Sequence, residues 1–173
     1  MEQELFQIIS RAKQGNNEAF AQLVKRYKEV VFRHAFAMLG DRMEAEDVAQ
    51  EAFMKVYHSL SKLESEYAFT AWLTRIVSRL CYDRLQKRKK EHQATDQMSS
   101  ERHEENAVNR KQLRLTIEEA MSKLSPEHRE AVVLRDVQGY TYEEIASILN
   151  IPLGTVKSRI STARLQLRNE LGH

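Results

Sequence analysis

Apolar residues recur at steps of three and four along most of the chain, the spacing that gathers them on one face of a helix. Residues 2–14 make a first short stretch, stopped at Gly15. Asn17 can cap the next helix. There Phe20, Val24, Tyr27, Val31 and Ala35 mark a buried face that runs to Leu39 and stops at Gly40. Asp41 followed by Glu44 has the form of a capping box and opens a third helix ending near Leu60, with Ala45, Val48, Ala49, Ala52 and Val56 inward. Residues 61–67 (SKLESEY) show no period and read as a loop. A fourth helix follows over 68–90, with Phe69, Leu73, Ile76, Val77 and Leu80 on one side.

Periodicity lapses over 91–112, a polar stretch that reads as a linker with a helical end. It returns over 113–123. Ser125 and Pro126 then cap and start a helix ending near Gly139. Thr141 with Glu144 forms a capping box for a short helix to Leu149, and the turn 150–153 leads to a last helix over 154–171. The expected fold is therefore all-α. Two small helical domains, 1–90 and 113–173, are joined by the linker 91–112, and no strand is predicted. Only five Gly and two Pro in 173 residues agree with that reading.

The formal net charge is only +2, which taken alone argues against a nucleic-acid partner. By segment it is far from uniform. Residues 1–90 carry 16 Lys/Arg against 12 Asp/Glu, 91–112 three against five, 113–151 four against seven, and 152–173 four against one. Residues 41–51 hold five acids and one base, while 84–90 (RLQKRKK) hold five bases and no acid. The basic patches suit phosphate. The acidic island suits a basic protein surface. The bland alternative for any one run is a solvated helix face.

Candidate chemistry is sparse. The single cysteine, Cys81, excludes an intrachain disulfide and a multi-cysteine zinc site, and the reducing cytosol is the expected compartment. The six His lack metal-ligand spacing, no phosphate loop or nucleophile elbow occurs, and no apolar run is long enough to span a membrane. No catalytic residue, metal or cofactor is expected.

The strongest local signal is YTYEEIASILNIPLGTVKSRI, which fits a helix-turn-helix. Ile145 and Leu149 bury the first helix, Ala146 permits a close crossing, and Asn150 tolerates a left-handed turn. Val156, Ile160, Ala163 and Leu167 form the inward stripe of the second helix. Outward lie Thr155, Ser158, Ser161 and Thr162. Lys157, Arg164 and Arg168 occupy one flank and Arg159 the other. Bases read in the centre and phosphates held at the edges fit this pattern. A plain amphipathic helix is the alternative. Leu165 lies off the buried stripe, and nothing in the sequence accounts for it.

In the fourth helix Arg75, Arg79, Tyr82 and Gln86 share a stripe with Trp72 at its border, and Tyr67 and Phe69 precede it. Cations beside aromatics can hold a separated strand. The competing reading puts Phe69 and Trp72 in the core. Asp83 falls near the apolar face, with a salt link to Lys87 as its simplest role.

With these residues in hand, the chain resembles the extracytoplasmic-function (ECF) group of bacterial RNA polymerase sigma factors. DVAQEAF (47–53), FTAWLTRI (69–76), LSPEHREAVVLRDVQGYTYEEIA (124–146) and IPLGTVKSRI (151–160) are similar to its signature segments, in the family's order. The resemblance implies a promoter-specificity subunit rather than an enzyme, acting in the cytoplasm. Its partners would be core RNA polymerase, through the clamp helices and the flap, and promoter DNA. It also brings in an anti-sigma protein, often membrane-bound in relatives, as a candidate partner.

Carried over by position, Asp47, Gln50 and Glu51 would meet the clamp. Loop 61–67 would hold a flipped base, with Tyr67, Phe69, Trp72, Arg75 and Arg79 at the minus-ten element. Thr155, Lys157, Ser158, Arg159, Ser161, Thr162 and Arg164 would meet the minus-thirty-five element. Two positions depart from the family pattern. Arg79 stands where Asn is frequent, and Thr162 where a basic residue is frequent. A stand-alone helix-turn-helix regulator is the rival, and it leaves the acidic island and the Trp72 helix unexplained.

Overall fold

A computed structural model describes residues 1–95 and 110–172; of residues 110–115 it describes the backbone only. Among the described residues every regular element is helical. In chain order they are α1 (Glu2–Lys13), α2 (Asn17–Leu39), α3 (Arg42–Ser59), α4 (Phe69–Thr95), α5 (Arg110–Ser122), α6 (Pro126–Val132), α7 (Tyr142–Leu149) and α8 (Leu153–Glu170). Most of the expected linker, residues 96–109, lies outside the described residues. The described parts group into two compact units: residues 1–36 with 41–80, and residues 37–40 with 81–95 and 110–172.

The first unit is built on the stripes that the pattern anticipates. Leu23, Tyr27, Val31 and Ala35 of α2 are buried, as are Ala45, Val48, Ala52 and Val56 of α3 and Phe69, Leu73 and Val77 of α4. The α2 stripe is turned slightly from the expected one, since Phe20 is half-buried and Ala19 fully buried. Its cap differs too. Asn16, not Asn17, accepts the Ala19 amide at 2.8 Å, and Asn17 accepts from the Tyr57 hydroxyl instead. Asp41 caps α3 as expected, accepting from the Glu44 amide at 2.9 Å. His34 is buried and held neutral, its pKa lowered to about 4 by burial. The stretch expected as a plain loop contains two single 3-10 turns, Leu60–Lys62 and Glu66–Ala68.

The second unit holds α5 to α8 with the C-terminal part of α4. Ser125 accepts the His128 amide and Pro126 occupies the first turn of α6. Beyond Val132 the helix widens into one π turn, Val133–Val137, closed by Gln138 N to Val133 O at 3.0 Å, and it stops at Gly139 with φ +80°. Thr141 and Glu144 exchange both bonds of a capping box, at 3.1 and 2.7 Å. Asn150 adopts the left-handed conformation (φ 54°, ψ 50°) that turns α7 into α8. Ile145 and Ile148 are the buried residues of α7, with Leu149 only half-buried. Against them lie Val156, Ile160 and Ala163 of α8, all buried. Leu124, Val132 and Ala163 cluster, with Met121 and Leu167 packed on them. Asp83 is exposed rather than set against the apolar face.

Arg129 of α6 is an unexpected core residue, 6% exposed. Its guanidinium donates to the carbonyls of Met38 (2.7 Å), Ser122 (2.7 Å) and Leu124 (3.2 Å). Met38 and Ser122 lie at the C-terminal ends of α2 and α5, where helix carbonyls lack intrahelical donors. Arg88 serves the same end of α2, donating to the Leu39 carbonyl at 2.9 Å. Burial, with the charge of Arg88 nearby, lowers the Arg129 pKa to about 10, so the cation persists at neutral pH. Replacing Arg129 by Met keeps the aliphatic volume and removes three charge-assisted bonds. Urea unfolding followed by circular dichroism should show a loss on the order of 3 kcal/mol. A loss below about 1 kcal/mol would mean that the carbonyls find other donors.

Candidate functional site

Two groups of exposed side chains stand out, one in each unit. On α3, Asp47 and Gln50 are exposed and Glu51 half-buried, at positions i, i+3 and i+4 of one helix face. Met43 and Met54 extend that face at its two ends and are exposed as well. Arg42, the lone base of the island, turns aside. It bonds to Glu46 at 3.3 Å and lies 5.7 Å from the centre of the Phe32 ring.

The segment before α4 is held from α1, a role invisible in local periodicity. Lys13 Nζ donates to Glu66 Oε1 at 3.3 Å. The Glu66 carboxyl is held below its usual range, first by its own backbone amide and then by Lys13. Tyr67 rests on Phe6, ring centres 5.1 Å apart, yet stays 83% exposed. Phe69, also expected at a strand, is only 1% exposed. Its ring meets Tyr27 edge-on at 5.3 Å and Trp72 at 6.2 Å, so it supports the surface from beneath. Tyr27 adds a hydrogen bond to Thr70 at 3.0 Å. Trp72 is half-buried, and Arg75 and Arg79 are exposed.

Tyr82 and Gln86 continue that stripe in sequence but are engaged within the second unit. The Tyr82 hydroxyl donates to Glu127 at 2.8 Å and accepts from Gln86 at 2.9 Å. The bond to Glu127 raises the Tyr82 pKa. Burial works against the Glu127 carboxylate, but its own amide, Tyr82, Ser125 and the nearby charge of Arg159 outweigh it and lower its pKa. Cys81 is buried and its thiol is pushed up to about 12, by burial first and by Glu130 second, with Arg84 opposing.

On α8 the expected face is present. Lys157, Ser158, Ser161 and Thr162 are exposed, while Thr155 and Arg159 are half-buried. Ser158 donates to the Thr155 carbonyl at 3.0 Å. Arg164 is exposed but held by a two-pronged pair with Asp136, at 2.6 and 3.3 Å. That pair joins the π turn to the recognition-like helix, and no periodicity argument could have found it. Among the described residues no cluster of three or more His, Cys, Asp or Glu is placed to hold a metal ion, and no helix is long and apolar enough to cross a membrane.

Comparisons with known proteins cover both groups of side chains. A family model described as Sigma-70 region 2 matches residues 23–91, and one described as Sigma-70, region 4 matches residues 114–167. The chain is 34% identical to the ECF RNA polymerase sigma factor SigW of Bacillus subtilis (strain 168), over 99% of this chain and 98% of that one. It is 33% identical to the ECF RNA polymerase sigma-E factor of Escherichia coli (strain K12), over 95% and 92% of the two chains. Among solved structures, the sigma factor RpoE of Bartonella quintana, in complex with the anti-sigma factor NepR, superposes with a TM-score of 0.70 at 29% identity, covering 88% and 96%. CnrH in complex with the cytosolic domain of CnrY superposes with a TM-score of 0.72 at 26% identity, covering 95% of each chain.

The two aromatics before and at the start of α4 should separate cleanly in stability measurements. Phe69→Ala removes a fully buried ring and should cost about 3–5 kcal/mol in urea unfolding. Tyr67→Ala, which loses one ring contact at an exposed site, should cost less than about 1 kcal/mol. Equal losses would contradict the placement of these side chains.

Proposed function

The chain belongs to the ECF RNA polymerase sigma factors, which direct polymerase to promoters to initiate transcription, and from that premise we propose how its two units divide the work. Asp47, Gln50 and Glu51 dock on the clamp helices of core polymerase. An exposed acidic face on α3 supports this, because it matches a basic protein surface and repels phosphate. Tyr67, Trp72, Arg75 and Arg79 face the separated minus-ten strand. A base turned out of the stack costs a few kcal/mol, and contacts from a segment held in place by Lys13–Glu66 can offset part of that cost. Phe69 contributes by fixing Trp72 and Tyr27 rather than by touching DNA.

In the second unit, α8 enters the major groove at the minus-thirty-five element. Thr155, Ser158, Ser161 and Thr162 face base edges, and Lys157, Arg159 and Arg164 stand at the margins. Asp136 sets the direction of the Arg164 guanidinium. The residues 113–173 act as one DNA-reading domain, and 1–90 as the clamp and minus-ten domain, with 91–112 joining them. The chain makes and breaks no bonds itself, takes no cofactor, and works in the cytoplasm beside polymerase. Relatives solved with NepR and with the CnrY cytosolic domain support an anti-sigma partner for this chain as well.

The observation that carries this reading is the pairing of an acidic exposed face on α3 with a cation-flanked polar face on α8. A lone operator binder needs only the second. Run-off transcription with core polymerase tests it: initiation on a matching promoter is expected, and tight binding to free DNA without initiation would refute it.

Two substitutions assign the faces. Glu51→Lys should weaken core binding at least about tenfold in a fluorescence titration, with the circular dichroism spectrum unchanged. Unaltered core affinity would remove Glu51 from the clamp contact. Lys157→Ala should cost about 1–3 kcal/mol at a single promoter position if it reads a base. A uniform loss across sequences with a shallower salt dependence would make it a phosphate contact.

A further inference from the structure

Leu165 is 55% exposed on a helix whose apolar stripe is otherwise inward. It lies seven residues after Ser158, three after Thr162 and four after Ser161, so it shares their helix face, about 10 Å further along the axis than Ser158. It is the one large apolar side chain among short hydroxyls on that face. Lys157, Arg164 and Arg168 stand on one side of it and Arg159 on the other.

The helix cannot roll to hide this side chain. Val156, Ile160 and Ala163 are locked in the core, and Leu167 packs on the Leu124, Val132 and Ala163 cluster. Arg164 is bound to Asp136 at 2.6 Å, and Glu170 is bound to Lys123 at 2.6 Å. These two ion pairs bracket Leu165 and tie α8 to the π turn and to the residue that follows α5. An apolar group is thus presented outward at a preset angle.

Resting on the reading of α8 as the recognition helix, we propose that Leu165 is a specificity residue that contacts the C5-methyl group of one thymine in the minus-thirty-five element. Four base-pair types meet a side chain in the major groove, and the thymine methyl is the apolar feature among them. A leucine has no donor or acceptor to satisfy, so it discriminates by contact area alone. The cations around it match a nucleic acid. A basic protein surface, such as the partner proposed to meet the acidic face of α3, would be repelled from this face.

The test uses holoenzyme assembled from the full chain and core RNA polymerase, on a promoter recovered from a library randomised in the minus-thirty-five element. Each thymine of that element is replaced singly by uracil, which removes only the methyl group. One replacement should weaken wild-type binding about fourfold, the worth of one buried methyl. The same replacement should have no effect on Leu165→Ala, and Leu165→Met should restore part of the sensitivity. The library selected with Leu165→Ala should lose its preference for thymine at that position alone.

Equal responses of wild type and Leu165→Ala to every uracil, or a recovered element without a thymine preference that depends on Leu165, would overturn the proposal. So would a loss of polymerase affinity in Leu165→Ala that is uniform over promoters, which would assign the side chain to a protein partner. Lys157→Ala is run alongside. If it too leaves minus-thirty-five dependence untouched, the reading of α8 itself fails. If Lys157→Ala responds and the uracil series does not, only the role of Leu165 falls.

Discussion

A single buried guanidinium organises the second unit. Arg129 has no carboxylate partner among the described residues; its charge is met by three backbone carbonyls. Two of these sit at the negative ends of helices, where the summed peptide dipoles favour a cation. A lysine could not reach them together, because its ammonium is a point donor while the planar fork of arginine spans separated acceptors. With α6 anchored in this way, its buried residue Val132 joins Leu124 in the platform on which Ala163 and Leu167 of α8 rest. The orientation of the polar face of α8 therefore traces back, through packing, to a polar core residue.

The same logic of fixing a surface from below recurs in the first unit. Phe69 is buried beneath Trp72, and Lys13 reaches across from α1 to hold Glu66 next to Tyr67. Tyr67 and Trp72 thus owe their places to neighbours packed or paired beside them. Preorganisation of this kind lowers the ordering cost when a strand or a protein surface arrives.

Much of this was legible in the sequence, and the boundary of legibility has a physical cause. Caps and turns are local, so Asp41, Ser125, the Thr141–Glu144 box and the left-handed Asn150 could all be read from residue type and spacing. So could the inward stripes of α3 and α8. Contacts that join residues far apart in sequence were not readable. Periodicity treats an arginine as surface, so Arg129 was missed, as were Lys13–Glu66 and Arg164–Asp136. Asn16 and Asn17 are equal candidates for a cap, and only the backbone phase of α2 separates them. The π turn at 133–137 leaves no compositional mark. The apolar stripe already placed Phe69 inward, and only the family resemblance moved it to the strand, because an aromatic at the start of a helix serves equally as a stacking platform or as the support for one.

The chain's one thiol has a consequence of its own. Cys81 is buried and its pKa is pushed up to about 12, so at cellular pH it is neither an available nucleophile nor an oxidant sensor. In the folded protein this thiol offers peroxide and disulfides no ready handle. The same silence makes the chain a clean host for spectroscopy: a cysteine introduced on the exposed face of α3 or α8 would take up a dye alone, without first deleting the native one.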